Sequence, residues 1–211
     1  MIKAIFFDYD GVLTTDKTGS QTTAKYLSRV TGIELSIVKE AFGRYNEALT
    51  LGRTTHAHIW PGICSALGRE LNIGLLHEAF ESTPINSQVF SLARQLKERY
   101  SVGIITDNKK DRIERLKKCQ GLTSLFDPIV VSAEVGSDKR SAEVFLIALR
   151  HAGVSPAESV FIDNNKDNLA APHALGIETI FHDDEKNDIG ALLSGLEKLG
   201  VRAANAQPFH R

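Results

Sequence analysis

The sequence predicts an α/β fold, a Rossmann-like parallel sheet with helices on both faces and an inserted α-helical unit, on three observations. Short apolar runs alternate with amphipathic helical patterns from residue 85 onward. The opening run in "KAIFFDYDG" is apolar without alternation, the mark of a strand buried on both faces. Between Gly11 and Pro84 there are helical patterns and no strand, so those residues interrupt the alternation.

The interruption carries four helical patterns: Thr22 to Val30, Leu35 to Leu49, Thr54 to Leu67 and Leu71 to Glu81. The second places Ile37, Val38, Ala41, Phe42 and Tyr45 on one helix face. After it, a helix from Gln88 to Arg99 leads into the strand "SVGIIT". A helix from Lys109 to Lys118 precedes the strand "PIVVS". The series continues with a helix from Ala142 to Ala152, the strand "SVFID", a helix from Asp167 to Leu175, the strand "ETIFH" and a helix from Ile189 to Leu199. Residues 1–13 and 85–211 are therefore expected to form the α/β core and 14–84 a helical cap, with "RAANAQPFHR" as a loosely held tail.

Composition narrows the function classes. Across 211 residues, 25 Lys and Arg stand against 26 Asp and Glu, which leaves no basic footprint for nucleic acid. No apolar window is long enough to span a bilayer, and the first residues run straight into a strand, so a cytoplasmic protein without a membrane partner is expected. Cys64 and Cys119 lack metal-type spacing and read as free thiols. The oligomeric state stays open.

Every predicted strand ends in polar groups. Asp8 and Asp10 follow the first, Thr106, Asp107 and Asn108 the second, Ser132 the third, and Asp163, Asn164 and Asn165 the fourth. Parallel strands put their carboxyl ends on one edge, so these groups converge. Gly11 supports a tight turn that turns both Asp8 and Asp10 toward one pocket, with Tyr9 facing away. Three acids at one edge repel unless a cation sits among them, and oxygen donors without paired His or Cys favour Mg²⁺. A carboxylate pair can divide labour, one attacking phosphorus while its neighbour moves protons. Thr106, the N–H groups after it and Lys139 could surround the phosphoryl oxygens.

"FFDYDGVL", "IITDN", Lys139 in "VGSDKRSAEVF" and "FIDNNKDNLAAPHALGI" together resemble the four motifs of the haloacid dehalogenase-like (HAD) superfamily, in the subgroup with a helical cap after the first motif. The resemblance covers nearly the whole chain. It implies Asp8 as nucleophile and Asp10 as general acid/base. It also implies Mg²⁺ held by Asp8, Asp163, Asp167 and the Asp10 backbone carbonyl, and Thr106, Asp107 and Lys139 as substrate-binding residues. Two positions depart from the pattern: Arg140 stands where proline usually follows the lysine, and Asn164 stands where some relatives carry a second aspartate.

The resulting expectation is a Mg²⁺-dependent phosphatase acting on a small phosphorylated metabolite through an aspartyl-phosphate on Asp8. A sugar phosphomutase shares every core residue and is the alternative, beside a catalytically inactive binding module. A dehalogenase has no use for an acid at Asp10, since halide leaves without a proton, and the expected motif context for a phosphonate-cleaving lysine is missing around Lys25 and Lys39. Lys109, Lys110 and Arg112 read as a solvated helix face. The stretches "TTDKTGSQTT" and "STPINS" read as hinges of a mobile cap, with Arg53, His56, His58 and Trp60 as candidates to reach the substrate.

Overall fold

The computed structural model describes residues 1–204. Its sheet contains β1 (Ala4–Phe7), β2 (Ser101–Thr106), β3 (Ile129–Val131), β4 (Ser159–Asp163) and β5 (Glu178–Phe181), in the order β3-β2-β1-β4-β5 with every pairing parallel. β1 is central because its residues have no polar side chain to present to water: Ala4, Ile5, Phe6 and Phe7 are all fully buried. Ile5 and Phe7 pack into one apolar cluster with Val89, Leu92 and Leu116, while Ala4 and Phe6 pack into another with Phe145 and Phe161 on the opposite face. Burying each of these Phe side chains contributes about 1.5–3 kcal/mol. The chain passes from β1 to β2 on one side and later to β4 on the other, so the topological switch lies at the carboxyl end of β1, where Phe7 pairs with both Ile104 and Ile162.

Residues 14–84 form α1 (Gly19–Thr31), α2 (Leu35–Gly43), α3 (Asn46–Thr50), α4 (His56–Ala66) and α5 (Gly74–Glu81). They share an apolar cluster of their own that includes Leu27, Val38, Ile63, Leu76 and Phe80. The remaining helices, α6 (Ser87–Lys97), α7 (Lys110–Cys119), α8 (Leu122–Leu125), α9 (Ser132–Val135), α10 (Glu143–Ala152), α11 (Ala170–Ala174) and α12 (Ile189–Lys198), alternate with the strands.

Several expected helices differ in extent, two of them in ways that bear on the cap. α1 begins inside "TTDKTGSQTT", because the Thr18 hydroxyl accepts from Gln21 N–H at 3.2 Å and caps it; the second half of that stretch is helix, not hinge. The helix expected over Leu35 to Leu49 is two, broken after Gly43. The two chain crossings between helices and core lie side by side: Thr14 and Ile85 form an antiparallel bridge, Thr15 N–H donates to Pro84 O at 3.2 Å, and Asn86 N–H donates to Leu13 O at 2.9 Å. The helical unit also touches the core beyond this point. Ser132 Oγ donates to Thr50 O at 2.8 Å, and Arg115 pairs with Glu81 at 2.7 Å. Gly52, with φ +67°, lies against the Ala133 carbonyl, where an added Cβ would come within 2.1 Å of the oxygen. Of the predicted tail, Ala203 packs against the core and Ala204 is buried, and 205–211 lie outside the described residues.

Candidate active site

A cavity of about 1020 Å³ lies between the strand ends and the helical unit. The first wall is built by the residues that follow β1. Asp8 is buried; its Oδ1 accepts from Tyr9 N–H at 2.7 Å and its Oδ2 meets Lys139 Nζ at 2.7 Å. The chain then turns through Tyr9–Leu13, with Gly11 at φ +78°. Position 11 excludes a side chain for a second reason: a Cβ would lie 2.1 Å from the Asn164 amide nitrogen. Tyr9 faces away into the core, its hydroxyl donating to Gln120 Oε1 at 2.6 Å. Asp8 and Asp10 both line the cavity.

β4 brings the next acid. Asp163 has no exposed surface; Lys139 Nζ lies 2.6 Å from its Oδ2, Asn165 N–H donates to its Oδ1 at 2.7 Å, and the Asn168 amide donates to Oδ2 at 3.1 Å. Lys139 thus bridges the carboxylates of two adjacent strands. Burial opposes its charge, but Asp8, Asp163 and Asp107 outweigh burial and hold its pKa above the ordinary lysine range. The Asp8 carboxyl is pushed well above the usual carboxylate range, chiefly by burial; Lys139 opposes this, and Asp163 and Asp10 add to it. A site this rich in buried acid favours additional positive charge. Two carboxylates with neighbouring carbonyl and amide oxygens suit a hard cation, which commonly takes one or two carboxylates and completes its shell with water and substrate oxygens. Asp8, in the cavity lining, and Asp163, directly behind it across Lys139, are the side chains that could hold it.

Thr106, at the end of β2, is buried in the cavity wall and accepts from the Asn108 amide at 3.3 Å. The Asp107 carboxylate accepts from Lys139 N–H at 3.0 Å, so its side chain positions the lysine loop. Asn108 N–H donates to Ser132 Oγ at 2.9 Å, which ties the ends of β2 and β3 together.

Asp167 is the site residue that the fold does not bring in. It is exposed and outside the cavity lining, with its N–H donating to Asn165 Oδ1 at 3.1 Å. The segment Lys166–Leu169 is a 3-10 turn, in which residues three apart share a face. Asn165 and Asn168 therefore face the cavity together, and Asn168 rather than Asp167 reaches Asp163.

Arg112 corrects the expectation of a solvated helix face. It is 1% exposed, and its guanidinium grips Asp10 with two bonds, Nη1 to Oδ2 at 2.8 Å and Nη2 to Oδ1 at 2.9 Å. The Asn108 amide adds a third donor to Asp10 Oδ2 at 2.8 Å. A count of charges carries the one available signal: three acids converge on Lys139 alone, and the helix after β2 holds the nearest further cations. Lys109 is half-buried in the cavity wall, where burial, and then Arg112, lower its pKa to about 8; Lys110 is exposed.

Among the cap candidates, His56 is buried in the cavity wall and its Nδ1 lies 2.8 Å from Asp111 Oδ2. Trp60 belongs instead to the helical core, its Nε1–H donating to Leu71 O at 2.8 Å. Arg53 and His58 are exposed and outside the lining, Arg53 lying 3.5 Å from Glu47. Cys64 and Cys119 are free.

Residues 2–176 match the model of the haloacid dehalogenase-like hydrolases. The chain belongs to that family. It is 27% identical over 203 residues to the glyceraldehyde 3-phosphate phosphatase of Methanothermobacter thermautotrophicus, covering 88% of this chain and 87% of that one. A shorter stretch of 80 residues is 28% identical to pyrophosphatase PpaX of Bacillus velezensis and spans only 37% of that protein's length. The fold is shared with the HAD family enzyme bt-2542 of Bacteroides thetaiotaomicron, solved in complex with magnesium and inorganic phosphate, at a TM-score of 0.67 and 22% identity over 87% of this chain and 96% of that one. Among the described residues no helix is long and apolar enough to cross a membrane.

Proposed function

We propose that this HAD-family hydrolase is a Mg²⁺-dependent phosphatase of small phosphomonoesters, with Asp8 as nucleophile and Asp10 as general acid/base. The observation that carries the reading is the convergence of Asp8, Asp10, Asp163 and Lys139 at the topological switch point, under a cavity of metabolite size. The phosphatase names of the relatives and the magnesium and phosphate bound by bt-2542 support it.

On this reading Asp10 enters the first step carrying a proton, and as Asp8 Oδ attacks phosphorus Asp10 gives that proton to the departing ester oxygen. Asp10 then takes a proton from the water that hydrolyses the aspartyl-phosphate. Lys139 spends two of its three N–H groups on Asp8 and Asp163, leaving one for a phosphoryl oxygen beside the Thr106 hydroxyl. When bound, Mg²⁺ would neutralise phosphoryl charge against Asp8, Asp163 and the Asp10 backbone carbonyl. A proton donor at Asp10 is superfluous for halide departure, which favours the phosphate ester over a haloacid. The helices of 14–84 act as a lid whose closure excludes water and whose opening admits it again.

The test is phosphate release from an aryl phosphate. Wild-type protein should turn it over with Mg²⁺, chelation should stop it, and folded Asp8→Asn should be inactive, because an amide is a poor nucleophile at phosphorus. Full turnover by folded Asp8→Asn would sink the covalent mechanism.

A further inference from the structure

We infer that Arg112 is a positioning residue for Asp10, and that the helical unit acts on the chemistry through it. The inference rests on the proposed proton-transfer role of Asp10. It starts from an unusual burial. Arginine is seldom fully buried unless paired, and here the side chain is 2% exposed, with a partner carboxylate that is itself only 12% exposed. The pair is forked, so it fixes the plane of the Asp10 carboxylate as well as its place. Single-point contact by an ammonium would leave that plane free to rotate.

The rest of the guanidinium is held from both sides of the cavity. From the core, Asn108 Oδ1 accepts from Nη1 at 3.0 Å, and the ring of Tyr9 lies 5.6 Å from the guanidinium carbon. From the helical unit, Thr83 Oγ1 accepts from Nη2 at 3.1 Å just past the end of α5. Gly19, the first residue of α1, presses on the same group: a Cβ there would stand 2.2 Å from Nη1 and 2.3 Å from the guanidinium carbon. Both ends of the helical unit therefore bear on one side chain. Nε is buried and has no partner among the described residues, an omission that costs about 1–3 kcal/mol. The group is thus arranged to aim its fork at Asp10 at some expense in stability. A carboxylate displaced by as little as 1 Å from its working position can cost on the order of 10² in rate.

A purely structural ion pair and a positioning pair differ in which substrates suffer when it is disturbed. An alkyl phosphate needs a proton delivered to its leaving oxygen; 4-nitrophenyl phosphate, whose leaving group is a weak base, hardly does. The measurement is kcat/KM for both esters with Mg²⁺, since this ratio reports transfer to Asp8 and not the later hydrolysis. Arg112→Lys keeps the charge and loses the fork. Its kcat/KM for the alkyl ester should fall at least about tenfold more than for the aryl ester. Gly19→Ala, which removes no partner of the pair but pushes a methyl group into the guanidinium and so displaces the fork, should show the same discrimination to a smaller degree. It keeps the inference testable should Arg112→Lys fail to fold. Equal loss on both esters in the folded variants, or no loss, overturns the inference alone. Wild-type protein inert toward both esters overturns the phosphatase reading and the inference with it.

Discussion

On the strand-end wall of the cavity, Asp8, Lys139 and Asp163 are buried and meet at 2.6–2.7 Å, and Asp10 and Arg112 meet at 2.8 Å. On the helical wall, Lys39 is exposed with no carboxylate within 4.0 Å among the described residues, and Lys17 only reaches Asp184 at 4.0 Å. The first wall holds its charges in fixed places, where low dielectric makes each strong and each misplacement costly. The second leaves them in water, where they steer and select at little energetic consequence. Chemistry and selectivity thus belong to different walls on the proposed mechanism.

The sharpest way to break this division is within a single turn. Asp163→Ala should raise the Mg²⁺ concentration needed for turnover and cut the rate by on the order of 10² or more, since it strips one of two buried carboxylates. Asp167→Ala, four residues on, should leave rate and Mg²⁺ dependence within about twofold because its side chain is exposed. A metal titration of both variants checks this, and comparable defects would return Asp167 to the site. Trp60→Ala tests the other wall. It removes a core side chain of the helical unit at a cost of about 3–5 kcal/mol, visible as a lowered Tm, with the Mg²⁺ requirement of the remaining folded protein unchanged. A shifted Mg²⁺ requirement would show that the walls are not separable.

The smallest effect is expected where the walls meet. Lys109→Gln should raise KM a few-fold for esters bearing a second anionic group and leave kcat alone. A lysine whose pKa is lowered to about 8 is charged below that value and neutral above it. The gap between variant and wild type should therefore be present at pH 7 and close as pH rises through about 8. A pH-independent gap would assign the effect to packing.

How much was legible in the sequence follows the same line. The strands "SVGIIT" and "SVFID" extend one polar residue past each end of their apolar runs, because burial on both faces leaves no polar position inside the run to blur its place. The polar groups after them identified the cavity edge. Helix α1 was harder to bound, since threonines read as linker until one of them is seen capping it. Arg112 was missed because charge on a helix normally faces water, and its partner Asp10 lies 102 residues away in sequence. Asp167 enters the expected metal set through the resemblance alone, and the 3-10 turn that carries it leaves its side chain exposed.

The contact of Gly52 with the Ala133 carbonyl has a mechanical consequence. The seam there is backbone against backbone, so its clearance is set by main-chain atoms and does not drift with side-chain rotamers. Position 52 is in effect a shim slot. Alanine, methionine and leucine placed there, none branched at Cβ and all facing the strain of φ +67°, would form a graded set of spacers between the two units. The aperture of the cavity, and with it the dwell time of whatever is held inside, would then be adjustable from a residue that touches neither the acids nor the lysines.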